Sequence, residues 1–146
     1  MNTYTRLLEV RWADLDPNFH VRHSVYYDWG AFCRMSFFTE HGLSVAVLQE
    51  HNFGPILFRE ECQFRKEIKF GDSISMDMKL LKARSDYARW SIQHQIYINN
   101  NIVASILTVD GAFIDTSLRK LTIPPPVAFT VFSEIPLSDS FEWTNK

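Results

Sequence analysis

The segment from Asp14 to Tyr27 reads DLDPNFHVRHSVYY, and it decides how the whole chain is interpreted. Two acids, an amide and two imidazoles lie within its first ten positions: Asp14, Asp16, Asn18, His20 and His23. A carboxylate held just before a helix can attack a carbonyl or activate a water, while free helix N–H groups stabilise the oxyanion. The alternative is an ordinary turn, in which these acids and Asn18 are turn formers and His20 is incidental.

The residues on both sides of this segment predict a strand before it and a long helix after it. Residues 5–12 alternate between apolar and charged side chains, as a half-buried strand does. Ser24 suits the N-cap position of a helix, and Gly42 suits the position just beyond its end. Between them, apolar residues recur at helical spacing: Tyr26, Trp29, Cys33 and Phe37. We therefore predict a helix of about five turns, buried on its apolar side.

The rest of the chain is dominated by alternating patterns that predict strands. These patterns cover residues 62–70, 74–80, 88–98 and 102–109, with an extension over 111–115 beyond a bulge. Two shorter segments differ from them. Residues 43–55 predict a short helical piece and then a turn at Gly54-Pro55, and residues 127–134 predict a second short helix after three prolines.

This order of elements indicates an α+β fold. One domain over residues 1–146 is expected, in which an antiparallel sheet of about five strands wraps a single long helix. The core is expected over about residues 5–130 and a C-terminal tail over residues 131–146, of which residues 135–146 are expected to be polar and mobile.

The composition excludes several classes of protein. The chain has 146 residues, 46% of them hydrophobic, which is a globular profile. A net charge of -2 is unlike the basic footprint of a nucleic-acid-binding protein. Cys33 and Cys62 are the two cysteines, so a disulfide-rich secreted scaffold is not expected. No stretch has the length of a membrane span and the N-terminus has no apolar signal core, so a cytoplasmic protein is predicted.

The acidic loop and its surroundings resemble hot-dog-fold acyl-CoA thioesterases of the 4-hydroxybenzoyl-CoA thioesterase type. The resemblance rests on the acid-x-acid-Pro pattern at 14–17 and on the aromatic-rich helix start at 26–29. The segment 16–21 is also similar to the Asp-x-Asn-x-His-Val signature of acyl-ACP thioesterases. Phe70-Gly71-Asp72 resembles a conserved turn of the family, and residues 118–124 resemble its closing segment.

The resemblance implies a role for each residue of the loop. Asp16 would be the catalytic carboxylate, acting as nucleophile or as general base on water. Asn18 would bond the water or the carboxylate, and His20 would support the acid–base step. The backbone N–H groups near His23 or Ser24 would form the oxyanion hole. No cofactor is implied, and Asp16, His20 and His23 make only a weak metal signal because no His or Cys cluster lies near them.

Other residues are candidates for binding the substrate. Tyr26 and Tyr27 would line an acyl slot, or would simply pack in the core. Arg84 and Arg89, together with Lys82, would meet the phosphates of coenzyme A, or would be a solvated strand end. Asp14 is expected to bond loop amides, and His94 to be a buried, hydrogen-bonded histidine or an interface residue.

The predicted function is hydrolysis of an acyl-CoA or acyl-ACP thioester by a homodimer or homotetramer. Pairing is expected because a lone subunit of this fold leaves a sheet edge and a sheet face uncovered. Two alternatives stay open. One is an enoyl-thioester hydratase, although its Asp-to-His spacing is five and here it is four, from Asp16 to His20. The other is a module that binds acyl-CoA without turning it over.

Overall fold

An 18-residue helix, α1 (His23–Glu40), lies against one face of an eight-stranded sheet in a computed structural model that describes residues 3–144. Two shorter helices are α2 (Val45–Glu50) and α3 (Pro126–Phe132), and one 3₁₀ turn covers Trp12–Asp14. The strands are β1 (Thr5–Leu8), β2 (Phe53–Phe64), β3 (Ile74–Asp77), β4 (Lys79–Arg84), β5 (Arg89–Ile98), β6 (Ile102–Asp115), β7 (Lys120–Leu121) and β8 (Leu137–Thr144). The predicted α+β class is confirmed.

The sheet is built around its two longest central strands. β6 pairs with β2 on one side and with β5 on the other, and the far side of β5 is shared by β3 and β4. β3 then pairs with β1, and β4 pairs with β8. All pairings are antiparallel except that of β4 with β8, which is parallel. Within residues 3–144, β2 pairs only with β6, so its other edge is open.

The long helix forms where it was predicted but begins earlier. Ser24 is not its N-cap: that position belongs to Arg22, whose side chain makes no capping hydrogen bond, and the Ser24 hydroxyl instead accepts from Arg22 Nε at 3.2 Å. Gly42 follows the helix with a φ of +103°, a conformation that glycine adopts without strain.

The strand predicted over 62–70 is shifted in the structure. The strand β2 starts at Phe53, passes through Gly54 and Pro55, where a turn was expected, and ends at Phe64. Pro55 is accommodated because β2 is an edge strand, so no strand on its open side needs the N–H donor that proline lacks. Ile68 is fully buried although it lies in a loop. Its backbone carbonyl is satisfied there because it accepts a hydrogen bond from Val21 N at 2.9 Å.

The expectation of a mobile segment over 135–146 is wrong for the part that the structure describes, and the tail expected over 131–146 packs on the domain. Val131, Phe132 and Ile135 are buried, and the Phe132 ring stacks on Phe38 of α1 at 5.4 Å. The strand β8 then adds to the edge of β4. Residues 145 and 146 lie outside the described residues. The C-terminal segment is therefore part of the domain core and of the sheet.

The core lies between the helix and the facing side of the sheet. Cys33 and Phe37 on α1 are fully buried, and so are Ile92, Leu107 and Val109 on β5 and β6. Gly30 allows the close approach, because a Cβ at this position would overlap Leu107 Cδ2. None of the helices within residues 3–144 is long and apolar enough to cross a membrane.

Candidate active site

The acidic loop is a tight hairpin that ends where α1 begins. Leu15 and Val21 form an isolated antiparallel bridge, and the Asp16 N–H donates to the His20 carbonyl at 2.8 Å. Phe19 lies at the tip with a φ of +67°, an unusual backbone conformation for an aromatic residue, and its ring is exposed. The backbone contacts across the hairpin therefore fix the position of Asp16.

The Asp16 carboxylate is oriented by backbone amides. Its Oδ1 accepts from Asn18 N at 2.8 Å and from His20 N at 3.3 Å. Within residues 3–144, Oδ2 accepts no hydrogen bond from the protein, so this oxygen is open to a water or a substrate. Asn18 thus contributes its main-chain N–H to this contact, while the residue itself is exposed and is not among the lining residues of the cavity described below.

The imidazole of His20 contacts the carboxylate of Glu67 and makes no hydrogen bond with Asp16. His20 Nε2 lies 3.2 Å from Glu67 Oε1, in the loop after β2, and the backbone of His20 bridges to Lys69. The ring is therefore tied to the far wall of the site, whereas the His20 N–H serves Asp16.

These side chains open onto one cavity of about 320 Å³. Residues of the hairpin and of the first helical turn form one wall, and the end of β2 with the following loop forms the other. The lining residues are Asp16, His20, Val21, His23, Tyr26, Phe64, Arg65, Lys66 and Glu67. The last four were not singled out in the sequence, because nothing local connects residues 64–67 to the acidic loop.

The start of α1 supplies hydrogen-bond donors to the same place. The N–H of Val25 is bonded to Arg22 O at 3.1 Å, and no side chain caps the residues before it. The amides of His23 and Ser24 are the first two of the helix, which have no partner inside it. An oxyanion formed at this end of the cavity would meet these N–H groups and the positive end of the helix dipole.

Asp14 is structural rather than catalytic. Its side chain is fully buried and accepts from the Arg11 backbone N at 2.8 Å and from Arg11 Nη2 at 2.7 Å. Burial acts to raise the pKa of this carboxyl, but the hydrogen bonds from Arg11 outweigh it and the pKa is lowered. The Asp14 carbonyl also accepts from Arg22 N, so this residue fixes the base of the hairpin.

The remaining candidates divide between the cavity and other places. Tyr26 lines the cavity and is buried, which raises the pKa of its hydroxyl to about 12. Tyr27 is half-buried beside Cys62 and is not part of the lining. Arg84 pairs with Asp86 at 2.8 Å, and Arg89 lies over the Phe58 ring at 5.1 Å.

Both arginines lie far from Asp16 within one subunit. Arg89 is in register with Ala112 and, through it, with Ile56, whereas the cavity wall is at Phe64 on the same strand. Eight strand residues span about 25 Å. Arg84 and Arg89 are therefore not part of the Asp16 cavity of the same chain, and their contact with the phosphates of coenzyme A stays a prediction.

No group of three His, Cys, Asp or Glu side chains placed to hold a metal ion occurs in the part of the chain from residue 3 to residue 144. The two cysteines are also poorly suited to chemistry. Burial raises the pKa of Cys33 to about 12 and that of Cys62 to about 11, so both are thiols at neutral pH.

Residues 10–131 match the family model of the thioesterase-like superfamily, and the chain belongs to this family. It is a thioester hydrolase of the hot-dog fold. No curated protein sequence matches it.

Solved structures with the same fold have low sequence identity. A Staphylococcus aureus protein solved in complex with CoA is 18% identical, with a TM-score of 0.85 over 94% of this chain and 88% of that one. The 1,4-dihydroxy-2-naphthoyl-CoA thioesterase of Synechocystis is 17% identical, with a TM-score of 0.81 over 91% and 97%. A DHNA-CoA thioesterase of Staphylococcus aureus is 16% identical, with a TM-score of 0.81 over 91% and 90%.

Proposed function

We propose that the protein hydrolyses acyl-CoA thioesters in the cavity at Asp16. The observation that carries this proposal is the Asp16 carboxylate itself. Two loop amides hold one of its oxygens, the other oxygen accepts no hydrogen bond within residues 3–144, and His23, the first residue of α1, lines the same cavity. A thioester suits such a site because its thiolate leaves without a strong acid.

Two routes are compatible with this arrangement, and both use Asp16 Oδ2. As a general base, the carboxylate removes a proton from water, and the hydroxide adds to the thioester carbonyl. As a nucleophile, it adds to the carbonyl itself and forms an acyl-aspartyl anhydride that water then cleaves. In either case the amides of His23 and Ser24 bind the oxyanion, and the products are the acid and free coenzyme A. A single turnover in H₂¹⁸O that labels Asp16 identifies the nucleophilic route, because ¹⁸O enters this side chain only when water cleaves the anhydride at the aspartyl carbonyl.

Coenzyme A is favoured as the carrier by the charges near the cavity. Arg65 and Lys66 line the cavity and are exposed, so two cations are available near its opening to an anionic carrier, which supports coenzyme A. The related Staphylococcus aureus protein was solved with CoA, which agrees with this choice. An acyl-ACP remains the second carrier to test, since its phosphopantetheine arm would enter in the same way.

A homodimer would complete the substrate site. The open edge of β2 is twelve residues long, and its exposed apolar side chains include Leu57, Phe58 and Phe64. Two such edges joined antiparallel by a two-fold axis near their midpoints would bring the Phe53 end of one subunit beside the Phe64 end of the other, with Phe58 close to the axis. Arg89 of the partner subunit would then approach the Asp16 cavity, of which it is not part in its own chain.

The test is the release of free thiol from a panel of short, long and aromatic acyl-CoAs. We expect wild type to turn over at least one of them, and Asp16→Asn to lower kcat/KM by about 100-fold or more. Asp28→Asn is the matched control, because it removes the same charge from an exposed position of α1 that does not line the cavity. Equal rates for wild type and Asp16→Asn would remove Asp16 from the mechanism.

A further inference from the structure

Glu67 is a second carboxylate of the Asp16 cavity, and it faces the imidazole of the acidic loop. Its Oε1 lies 3.2 Å from His20 Nε2, and both residues line the cavity together with Asp16. The side chain of Glu67 is 62% exposed and that of His20 is 30% exposed, so water reaches the pair. The contact is therefore part of the site and open to its solvent.

This contact decides which ring nitrogen of His20 carries the proton. An ionised carboxylate can only accept hydrogen bonds, so Nε2 is the donor towards Glu67. The neutral imidazole then has an unprotonated Nδ1, and within residues 3–144 this nitrogen makes no hydrogen bond. His20 thus brings an oriented ring with one free acceptor to the cavity.

Other histidines of the chain do not combine these two properties. Buried His94 uses both nitrogens: Nδ1 donates to the Asp77 carbonyl at 2.8 Å, and Nε2 accepts from Arg34 at 3.2 Å. His23 lines the Asp16 cavity, but in the described part of the chain its ring forms no ion pair with a carboxylate. His20 is therefore the histidine of this cavity whose ring a carboxylate orients.

Backbone contacts hold both partners of the pair in place. The antiparallel bridge between His20 and Lys69 joins the hairpin to the loop that carries Glu67. The neighbouring Ile68 carbonyl accepts a hydrogen bond from the same hairpin at 2.9 Å. The His20 N–H also donates to Asp16 Oδ1 at 3.3 Å, so the ring and the Asp16 carboxylate are held by one short stretch of backbone.

A free ring nitrogen has a use in the nucleophilic route. Once Asp16 is part of the acyl-aspartyl anhydride, it can no longer remove a proton from the water that cleaves this intermediate. Arg65 and Lys66 of the lining are cations, and Glu67 already faces His20. Nδ1 of His20 is the oriented acceptor that the cavity offers for this proton.

We propose that Glu67 is a positioning residue that sets the tautomer of His20, and that His20 Nδ1 is the base for the water that cleaves the acyl-aspartyl intermediate. The water gives one proton to Nδ1, its hydroxide adds to a carbonyl carbon of the anhydride, and the bond from that carbon to the bridging oxygen breaks. The acid and the Asp16 carboxyl group are released, and Nδ1 returns its proton to solvent. This inference rests on the proposed function and selects its nucleophilic route.

The split between kcat and kcat/KM tests the proposal, because kcat/KM ends at the release of the thiol, whereas kcat includes cleavage of the intermediate. We expect His20→Gln to lower kcat by about 100-fold and Glu67→Leu by about 10-fold, with kcat/KM within about 3-fold of wild type. Both variants should fold, since an exposed ion pair contributes little to stability. Equal losses in kcat and kcat/KM would overturn the proposal, because a merely disturbed cavity would give them.

Glu134→Leu is the matched control for Glu67→Leu. Glu134 is an exposed residue beyond α3 that does not line the Asp16 cavity, so its replacement should leave kcat and kcat/KM unchanged.

Rapid mixing with a saturating acyl-CoA that wild type hydrolyses gives a second readout. When cleavage of the intermediate is slow, each site releases one thiol quickly and then turns over slowly. We expect this burst from His20→Gln and Glu67→Leu, and we expect the double variant to have the same kcat as His20→Gln. Slow turnover without a burst, or independent effects of the two substitutions on kcat, would overturn the proposal.

The Asp16→Asn protein separates this inference from the proposed function. If wild type hydrolyses an acyl-CoA and Asp16→Asn does not, but the His20 and Glu67 variants show no burst, the proposed function stands and the roles of His20 and Glu67 fall. If wild type releases no thiol from any acyl-CoA, the proposed function falls and this inference falls with it.

Discussion

At the scale of single residues, Asp16 and His94 are polar groups in two contrasting environments. Asp16 is half-buried, held by amides, and open on one oxygen. His94 is fully buried, neutral and bonded on both ring nitrogens. The open oxygen of Asp16 suits a catalytic carboxylate, whereas buried His94 fixes the position of Arg34 and makes the stability of the fold sensitive to acid.

The acid sensitivity gives the prediction at this scale. The pKa of His94 is about 3 in the folded state and 6.5 in its ordinary state, so between these values only the unfolded chain binds the proton. Stability should therefore fall as the pH is lowered from about 6.5 to about 3, and this contribution should vanish above 6.5. His94→Gln retains one donor and one acceptor but cannot be protonated. Its free energy of unfolding should therefore fall less steeply with falling pH than that of wild type, and the two slopes should differ by up to about 1.4 kcal/mol per pH unit.

Urea unfolding at several pH values between 4 and 7 measures this difference. The matched control is His51→Gln, at an exposed histidine whose replacement should leave the slope unchanged. Parallel curves for wild type and His94→Gln would show that the acid sensitivity arises elsewhere.

At the scale of secondary-structure elements, the packing of the sheet at Gly111 of β6 leaves no room for a side chain. A Cβ there would lie 2.7 Å from the Ile56 carbonyl oxygen and would overlap the Trp90 ring. The neighbouring strand β2 has a bulge between Leu57 and Arg59, directly opposite this point. The packing of β2, β5 and β6 thus depends on the missing side chain.

We expect Gly111→Ala to destabilise the protein by about 1–3 kcal/mol, because the Trp90 ring or the β2 backbone must shift. Gly54→Ala is the control in the same pair of strands, since its nearest neighbour would be Thr116 Cγ2 at 3.8 Å, an ordinary contact. Thermal unfolding of the two variants measures the difference. A Gly111→Ala protein as stable as Gly54→Ala would mean that the sheet adjusts here without cost.

The elements also show what a sequence can and cannot predict. The helix α1 and the hairpin before it are local patterns, and both the helix and the placement of Asp16 at its start follow from spacing. The strand β8 has polar residues such as Ser138, Asp139 and Ser140, and it becomes a strand only because β4 offers an edge. Likewise, Gly54-Pro55 reads as a turn locally, but the edge position of β2 overrides that preference.

The candidate site follows the same division. Asp16 and His20 are close in sequence and were found from it, whereas Glu67 reaches His20 only through the fold. Arg34 lies on a helix face that reads as polar, yet it is buried against His94, sixty residues later. The apolar neighbours Cys33, Phe37 and Phe38 are the signal that could have marked Arg34 as an inward-facing cation.

At the scale of the whole molecule, the proposed dimer links assembly to activity. If Arg89 of the partner subunit helps to bind the substrate, a lone subunit has an incomplete site. Specific activity should then fall on dilution in step with the loss of the dimer measured by light scattering, and KM should rise before kcat falls. A monomer that is as active as the assembled protein would contradict the shared site.

The strand β2 has one further consequence. It is a long open edge, whereas the opposite side of the sheet ends in two separate pieces, the four-residue β1 and the eight-residue β8. Open edges are templates on which chains stack into fibres. Two subunits joined through β2 consume both long templates at once and leave only short, divided ones at the ends. In the proposed dimer, the long edge that forms the interface would therefore no longer be available for polymerisation through the sheet.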